Sequence, residues 1–192
     1  MILQTDRLYL DAWQTSDWIA FRPIATDSEV MRYITGGVPW TDGQIQQFVA
    51  RQVALYSERG FCRWKLTEKS VGTMIGFCGV GFWRDHPEPE IGWWLARSHW
   101  GRGLATEAAR AALRDAFERA GLNRNISVAM PENTSSIRIM EKLGLQFDGK
   151  FENEGLRLVR YAVTHGRYEA LSQADTSPLK AEGQRSTARI PK

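Results

Sequence analysis

Apolar and polar positions follow two different periods along the first third of the chain, and each change of period marks a predicted element. Residues 2–13 and 61–67 alternate with a period of two, which is typical of strands with one buried face. Between these strands the pattern predicts two short helices, over 17–21 and 27–33, and a longer helix from 41 to 60. Pro23 ends or kinks the first helix, and Thr41 with Gln44 forms a capping box for the longest one.

The rest of the chain shows shorter strands that alternate with two more helices. The predicted strands cover residues 73–82, 90–95, 125–130, 145–151 and 156–163. One helix runs from 105 to 120 with alanines on its inward face, and a second begins at an N-cap, Asn133. This order predicts a mixed α/β sheet with helices on its faces. Residues 1–170 form the predicted domain, and polar residues 171–192 are expected to be a disordered tail.

The segment around Gly101 and Gly103 joins a buried strand to the alanine-rich helix. Glycines permit a tight turn and a close approach by another molecule. The first N–H groups of a helix have no partner inside the helix, and the helix dipole adds positive charge there. The segment therefore suits a phosphate or pyrophosphate, and Arg102 adds a full charge. A plain strand–turn–helix corner is the alternative, because Gly-x-Gly alone is common.

Two other phosphate-binding motifs are excluded by sequence. No Gly-x-x-x-x-Gly-Lys-Ser/Thr run is present. Counted from Gly101, the sixth position of the dinucleotide fingerprint is Thr106 instead of glycine or alanine.

Several ordered motifs resemble the GNAT superfamily, and in particular its RimJ/RimL-type N-acetyltransferase branch. The strongest is Trp-Gly-Arg-Gly-Leu-Ala-Thr-Glu-Ala over 100–108, which resembles the family's acyl-CoA pyrophosphate loop. Leu-x-Thr-x-Arg-Leu-x-Leu over 3–10 and Asn-x-x-Ser-x-Arg over 133–138 accompany it. Trp100 stands where glutamine or arginine is usual. The resemblance covers roughly residues 2 to 170.

The resemblance implies a single-domain α/β (α+β) fold with a mixed, mostly antiparallel sheet whose central strands splay apart. Acetyl-CoA is the implied co-substrate, with its pantetheine arm in the gap and a bulge within residues 90–95. Backbone amides near Trp94 and Leu95 would serve the thioester oxygen, and Asn133 would meet the pantetheine chain. The implied pyrophosphate loop consists of Trp100, Gly101, Arg102, Gly103, Leu104, Ala105 and Thr106.

Acetyl transfer to an amine needs a group that accepts the amine's proton, and Glu90 at the start of the central strand is the first candidate. Glu88, Asp85 and His86 are weaker candidates, and a strand-end carboxylate that only faces water is the alternative for Glu90. Many family members place a tyrosine seven residues after the asparagine, as the acid for the thiolate. That position here is Met140, so Ser136 is the candidate substitute, against the alternative of a neutral surface serine.

The composition of the chain limits the classes of molecule that it is expected to bind, but it does not identify the amine acceptor. A net charge of +3 fits an anionic small ligand and does not indicate nucleic acid. Because the sequence shows no leader and no long apolar run, we expect a cytoplasmic protein without membrane segments. The three histidines do not have the spacing of metal ligands, so no metal site is predicted. Trp40 and Trp83 border the acceptor pocket by resemblance, or cap the core. Cys62 and Cys78 are expected to be buried free thiols, with a disulfide not excluded.

The sequence therefore predicts a monomeric or homodimeric N-acetyltransferase in which a primary amine attacks acetyl-CoA directly. The acceptor is a protein N-terminus, an amino acid, a polyamine or another small amine. A non-catalytic acyl-CoA-binding or sensing module is the competing interpretation, because the usual tyrosine is missing.

Overall fold

One mixed sheet organises the computed structural model, which describes residues 2–82, 86–153 and 155–176. The eight strands of these residues are adjacent in the order β1-β2-β3-β4-β5-β6-β8-β7. Their bounds are β1 Ile2–Gln4, β2 Leu8–Asp11, β3 Arg63–Glu68, β4 Met74–Phe82, β5 Pro89–Leu95, β6 Arg124–Ala129, β7 Gln146–Asn153 and β8 Leu156–Thr164. The α-helices are α1 Trp18–Ala25, α2 Ser28–Met31, α3 Asp42–Arg59, α4 Leu104–Arg114, α5 Thr134–Lys142 and α6 His165–Thr176.

The sheet divides between β5 and β6, which are its parallel pair. All other neighbouring strands are antiparallel. Within the described residues β5 and β6 are paired at a single position, Glu90 with Ile126. Beyond that point the strands separate toward their carboxyl ends. The predicted mixed, mostly antiparallel sheet with splayed central strands is therefore confirmed.

The two faces of the sheet are buried by different helices. Rings of α1 and α3 cover one face, where Phe21 and Phe48 pack on Phe77 of β4. Helix α4 packs against β4 and β5, and its buried alanines allow close contact with the sheet. It continues as a π-helical turn, Asp115–Arg119, so that the predicted helix over 105–120 is present.

Four local features differ from the sequence expectation. The first predicted strand is a hairpin, because Thr5 closes a turn through its N–H to the carbonyl of Leu8 at 3.0 Å. Helix α1 continues past Pro23 to Ala25. No bulge occurs in β5, whose register with β4 is unbroken over residues 89–95. Helix α6 extends to Thr176, beyond the predicted domain boundary, while residues 177–192 of the predicted tail lie outside the described residues.

Candidate active site

The turn before α4 presents main-chain N–H groups without partners. Gly101 and Gly103 have φ angles of 70° and 76°, which residues with a Cβ adopt only at a cost. Gly103 is the N-cap of α4 and offers no side chain to its first turn. Among the described residues, the N–H groups of residues 101–106 make no hydrogen bond, and the first bond of the helix is from Glu107 to Gly103. Such a concentration of free donors at a helix N-terminus is a site for an anion.

The side chain of Arg102 does not contribute a free charge to this turn. Its guanidinium donates two hydrogen bonds to the Glu68 carboxylate, at 2.5 and 3.1 Å. His99 also reaches Glu68, with 3.1 Å between Nε2 and Oε2. The hydrogen bonds from Arg102 lower the pKa of Glu68, although burial opposes them. Glu68 therefore offsets the charge that Arg102 brings to the turn, and the contribution of Arg102 to anion binding stays a prediction.

The first turn of α4 is tied to the N-terminal hairpin through Glu107. Its carboxylate accepts from the hydroxyl of Thr5 at 2.5 Å and from the N–H of Arg7 at 3.0 Å. The guanidinium of Arg7 donates to the same carboxylate at 2.6 Å and to the carbonyl of Arg102 at 2.9 Å. These bonds fix the glycine turn and the start of the helix together, so the free N–H groups keep a set direction.

The gap between β5 and β6 exposes part of the β5 backbone. The N–H of Ala96 donates to Ile75 of β4, and the Trp94 carbonyl faces Gly76 of β4. Because strand residues point their polar groups alternately to either side, the N–H groups of Trp93 and Leu95 point toward β6. β6 is no longer paired there within the described residues. Of the two predicted backbone amides, only the N–H of Leu95 therefore faces the gap. The N–H of Trp93 faces the gap as well, which the sequence did not predict.

Helix α5 begins at the same end of the gap. Since β5 and β6 are parallel, the helices that follow them both start at the carboxyl edge, where their dipoles favour an anion. Asn133 caps α5, accepting from the N–H of Ser136 at 3.2 Å, as predicted. The Ser136 hydroxyl has no hydrogen-bond partner among the described residues, and its residue is half-buried. Met140 is 1% exposed and belongs to the core.

Glu90 is buried at the point where the gap opens. It is 6% exposed and forms an ion pair with Arg63 of β3. Burial raises the pKa of the Glu90 carboxyl, while the charge of Arg63 and a hydrogen bond from the backbone of Val128 oppose that rise. The alternative of a carboxylate facing water is excluded by this burial. A carboxylate with a raised pKa is a suitable proton acceptor near neutral pH.

An aromatic cluster lies on the same face as Glu90, four residues further along β5. The ring of Trp94 contacts Trp40 at 4.6 Å between centroids and Phe77 at 5.1 Å. Trp40 is half-buried and also packs on Phe48, so it completes the edge of the core, and its place beside an acceptor stays a prediction. Trp83 lies outside the described residues. Trp100 is 48% exposed, and its indole donates to the Leu95 carbonyl at 2.8 Å.

The weaker candidates have structural partners instead. Glu88 accepts from Arg124 at 2.6 Å, and its N–H donates to the ring of His86 at 3.2 Å. Asp85 lies outside the described residues. Both cysteines are buried and free, as expected. Burial raises the pKa of Cys62 to about 12 and that of Cys78 still further.

Sequence reasoning found the loop but missed the groups that hold it in place. Thr5 and Arg7 were visible only as part of an opening motif. No spacing rule connects them to Glu107, which follows 102 and 100 residues later. Arg63 carried no signal, because an arginine in an alternating strand is usually solvated. Only the register of β3, β4 and β5 brings it to Glu90.

Known proteins match this chain over most of its length. Residues 7–146 match the model of the acetyltransferase (GNAT) domain family. The uncharacterized N-acetyltransferase YnaD of Bacillus subtilis is 31% identical over 79% of this chain and 86% of its own length. The FsC-acetyl coenzyme A-N(2)-transacetylase of Aspergillus fumigatus is 31% identical over 72% of this chain and 65% of its own length.

Solved structures agree on the fold. A GNAT-family acetyltransferase from Bacillus anthracis has a TM-score of 0.73 at 27% identity, over 86% of this chain and 99% of that one. The ribosomal L7/L12 alpha-N-protein acetyltransferase RimL, in complex with coenzyme A, has a TM-score of 0.70. At 18% identity, over 85% of this chain and 98% of that one, its likeness shows the fold alone. No helix among the described residues has the length and apolar character needed to cross a bilayer. By its sequence match and its fold, the chain belongs to the acetyltransferase (GNAT) domain family and is an acetyltransferase.

Proposed function

We propose that the protein transfers an acetyl group from acetyl-CoA to a primary amine by direct nucleophilic attack. The observation that carries this proposal is the set of unpaired N–H groups at the turn and first residues of α4, beside the open edge of β5. The turn would bind the diphosphate of the coenzyme through residues 100–106. The β5 edge would pair with the amides of the pantetheine arm, and Asn133 would approach that arm from the other side of the gap.

The chemistry assigns a role to each side of the gap. The amine nitrogen attacks the thioester carbonyl carbon, the carbon–sulfur bond breaks, and the thiolate leaves. Glu90 takes the proton of the amine, directly or through a water. Ser136 donates its hydroxyl proton to the thiolate and takes a proton from water, and Glu90 releases its proton to solvent. The N–H groups of Leu95 and Trp93 are the donors available to the thioester oxygen as charge develops on it.

Direct attack is favoured over a covalent intermediate on an enzyme thiol. An intermediate of that kind requires a reactive thiolate. Cys62 and Cys78 are both buried, and the pKa of each is raised by its burial. Neither thiol is therefore a suitable nucleophile at neutral pH.

The names of two relatives suggest two classes of acceptor for this chain. The name of the FsC transacetylase includes acetyl coenzyme A and an N(2) position. This supports the proposal that the present chain uses acetyl-CoA and an amine acceptor. The RimL structure is named for an alpha-N-protein acceptor, and a protein N-terminus is therefore the second candidate. Trp40 and Trp94 supply an aromatic wall for an apolar or peptide-like group. We place the reaction in the cytoplasm, in a monomer or a homodimer.

The competing function is a non-catalytic acyl-CoA-binding or sensing module. The observation that favours it is Met140, whose burial in the core excludes an acid at the usual position. Two measurements separate the functions: calorimetric titration with acetyl-CoA, and release of free coenzyme A thiol with a panel of amines. We expect binding and amine-dependent release. Binding without release for every amine would favour the module, and absence of binding would contradict both.

A further inference from the structure

Arg63 lies over a part of the sheet face that carries no other side chain. Arg63, Gly79 and Gly92 are in register across β3, β4 and β5, and Gly81 is in register with Glu90. A Cβ built on Gly92 would be 3.5 Å from Nε of Arg63, and one built on Gly81 would be 3.4 Å from its Cζ. The guanidinium therefore extends over these glycines toward Glu90.

This position is between the proton acceptor and the aromatic wall. Alternate residues of a strand share a face, so Glu90, Gly92 and Trp94 lie in a row on one face of β5. Arg63 lies over Gly92, at the middle of that row. A molecule whose amine reaches Glu90 and whose apolar part reaches Trp94 must pass beside the guanidinium.

Most of the hydrogen-bonding capacity of Arg63 is unused. A guanidinium has five N–H donors, and the bond from Nη2 to Glu90 is the side-chain bond that it makes among the described residues. Its Nε and Nη1 make no hydrogen bond within the residues that the structure describes. The side chain as a whole is 13% exposed. A charged fork with open donors at such a position is suited to a carbonyl or carboxylate oxygen.

We propose that Arg63 determines acceptor specificity by binding an oxygen next to the attacking amine, so that the acceptor is an α-amino acid derivative or a peptide N-terminus. This inference rests on the proposed function and narrows its acceptor. The oxygen of the acceptor contacts the free donors of Arg63 while its amine lies against Glu90. Polyamines are disfavoured, because a second ammonium group would lie beside the Arg63 cation.

The test compares amines that differ in this oxygen: leucinamide, leucine, isopentylamine, which lacks the carboxylate, and spermidine. We expect the wild-type protein to acetylate leucinamide or leucine with the highest kcat/KM. In Arg63→Met, kcat/KM for these two should fall roughly tenfold to a hundredfold, as expected for loss of a charge-assisted hydrogen bond. Because Arg63 is also the ion-pair partner of Glu90, the value for isopentylamine should fall as well. The ratio of leucinamide to isopentylamine should still fall roughly tenfold, and that ratio measures the lost contact with the oxygen. For leucinamide and leucine, kcat/KM of Arg63→Lys should lie between the values for the wild-type protein and for Arg63→Met.

Lys65→Met is the matched control, because Lys65 is on the same strand and face and pairs with Asp17 at 2.8 Å. It should leave the ratio of leucinamide to isopentylamine unchanged. An equal fall for all amines in Arg63→Met, or a wild-type preference for spermidine or isopentylamine, would overturn the inference while leaving the acetyltransferase function intact. Failure of the wild-type protein with every amine would instead contradict the proposed function.

A binding measurement covers the case in which Arg63→Met folds poorly with Glu90 left unpaired. The double variant Arg63→Met/Glu90→Gln removes both charges, and Glu90→Gln alone is its reference. Calorimetry with N-acetyl-leucinamide, in the presence of coenzyme A, should show affinity in Glu90→Gln and roughly tenfold weaker affinity in the double variant. Equal affinities would contradict recognition by Arg63.

Discussion

The guanidinium of Arg7 donates a 2.6 Å hydrogen bond to the carboxylate of Glu107 and joins the first hairpin of the chain to the first turn of α4. The same guanidinium holds the carbonyl of Arg102, in the glycine turn, at 2.9 Å. One residue thus contacts both sides of the proposed diphosphate seat. The free N–H groups of the turn are therefore held in place by a side chain from the first hairpin of the chain.

Glu107→Gln should weaken coenzyme A binding severalfold and lower the free energy of unfolding by about 1 kcal/mol, because Arg7 loses its charged partner. Burial raises the pKa of Glu107, but hydrogen bonds from Thr5 and Arg7 outweigh it and the pKa is lowered overall. The stabilisation is therefore present above the unfolded value near 4.5 and is lost as pH falls through the folded value. Urea unfolding between pH 3 and pH 8 measures this.

The exposed ion pair of Arg22 and Asp42 is the control for Glu107→Gln. Its Nε and Oδ1 atoms are 2.7 Å apart, and about half of each side chain is exposed. Asp42→Asn should change stability by less than about 0.5 kcal/mol and leave coenzyme A binding unaltered. A Glu107→Gln protein with wild-type affinity for coenzyme A would show that the hydrogen bonds between Arg7 and Glu107 do not orient the turn.

Gly103→Val should abolish coenzyme A binding. Its φ of +76° is strained for a branched residue, and the side chain would occupy the approach to the free N–H groups. Gly121→Val is the matched control at the other end of the same helical segment, with a φ of +68° and open space around it. Both variants should lose about 1–2 kcal/mol of stability. Unchanged affinity in Gly103→Val, measured by calorimetry, would contradict the placement of the coenzyme.

Glu90→Gln should lower kcat by about 100-fold to 10,000-fold, the range for loss of a general base. Because burial raises the pKa of Glu90, wild-type activity should fall on the acid side at a pH above 4.5, and the variant should lack that limb. The folded protein also binds this proton more tightly than the unfolded chain. Its free energy of unfolding therefore declines as pH rises from 4.5 through the folded value, a slope that Glu90→Gln removes. A wild-type pH profile in the variant would exclude Glu90 as base.

Gly76→Ala should be among the most damaging single changes in the sheet. A Cβ there would lie 1.9 Å from the carbonyl oxygen of Trp94, so β4 and β5 must separate. We expect a loss of about 3 kcal/mol or more. Gly72→Ala shares a positive φ of 66° but has open space around it, and it should cost only about 1–2 kcal/mol. Thermal unfolding of the two variants compares them, and equal costs would contradict the steric argument.

The local features that the sequence predicted correctly are those with a short-range cause. The capping box of Thr41 and Gln44 and the N-cap at Asn133 were both found where expected, since each depends on residues three positions apart. The hairpin of β3 and β4 followed from alternation and a polar turn. The prediction of a bulge in β5 was wrong. It came from the family resemblance, and no residue pattern in the strand required it.

What the sequence alone determined was the order of strands and helices and the glycine turn that leads into α4. These follow from periodicity and from backbone freedom, which act over a few residues. What only the tertiary structure decided was which charges meet: Arg102 with Glu68, Arg7 with Glu107, and Arg63 with Glu90. Such pairs join residues 27 to 100 positions apart, and strand register, rather than local sequence, determines which side chains come within hydrogen-bonding distance.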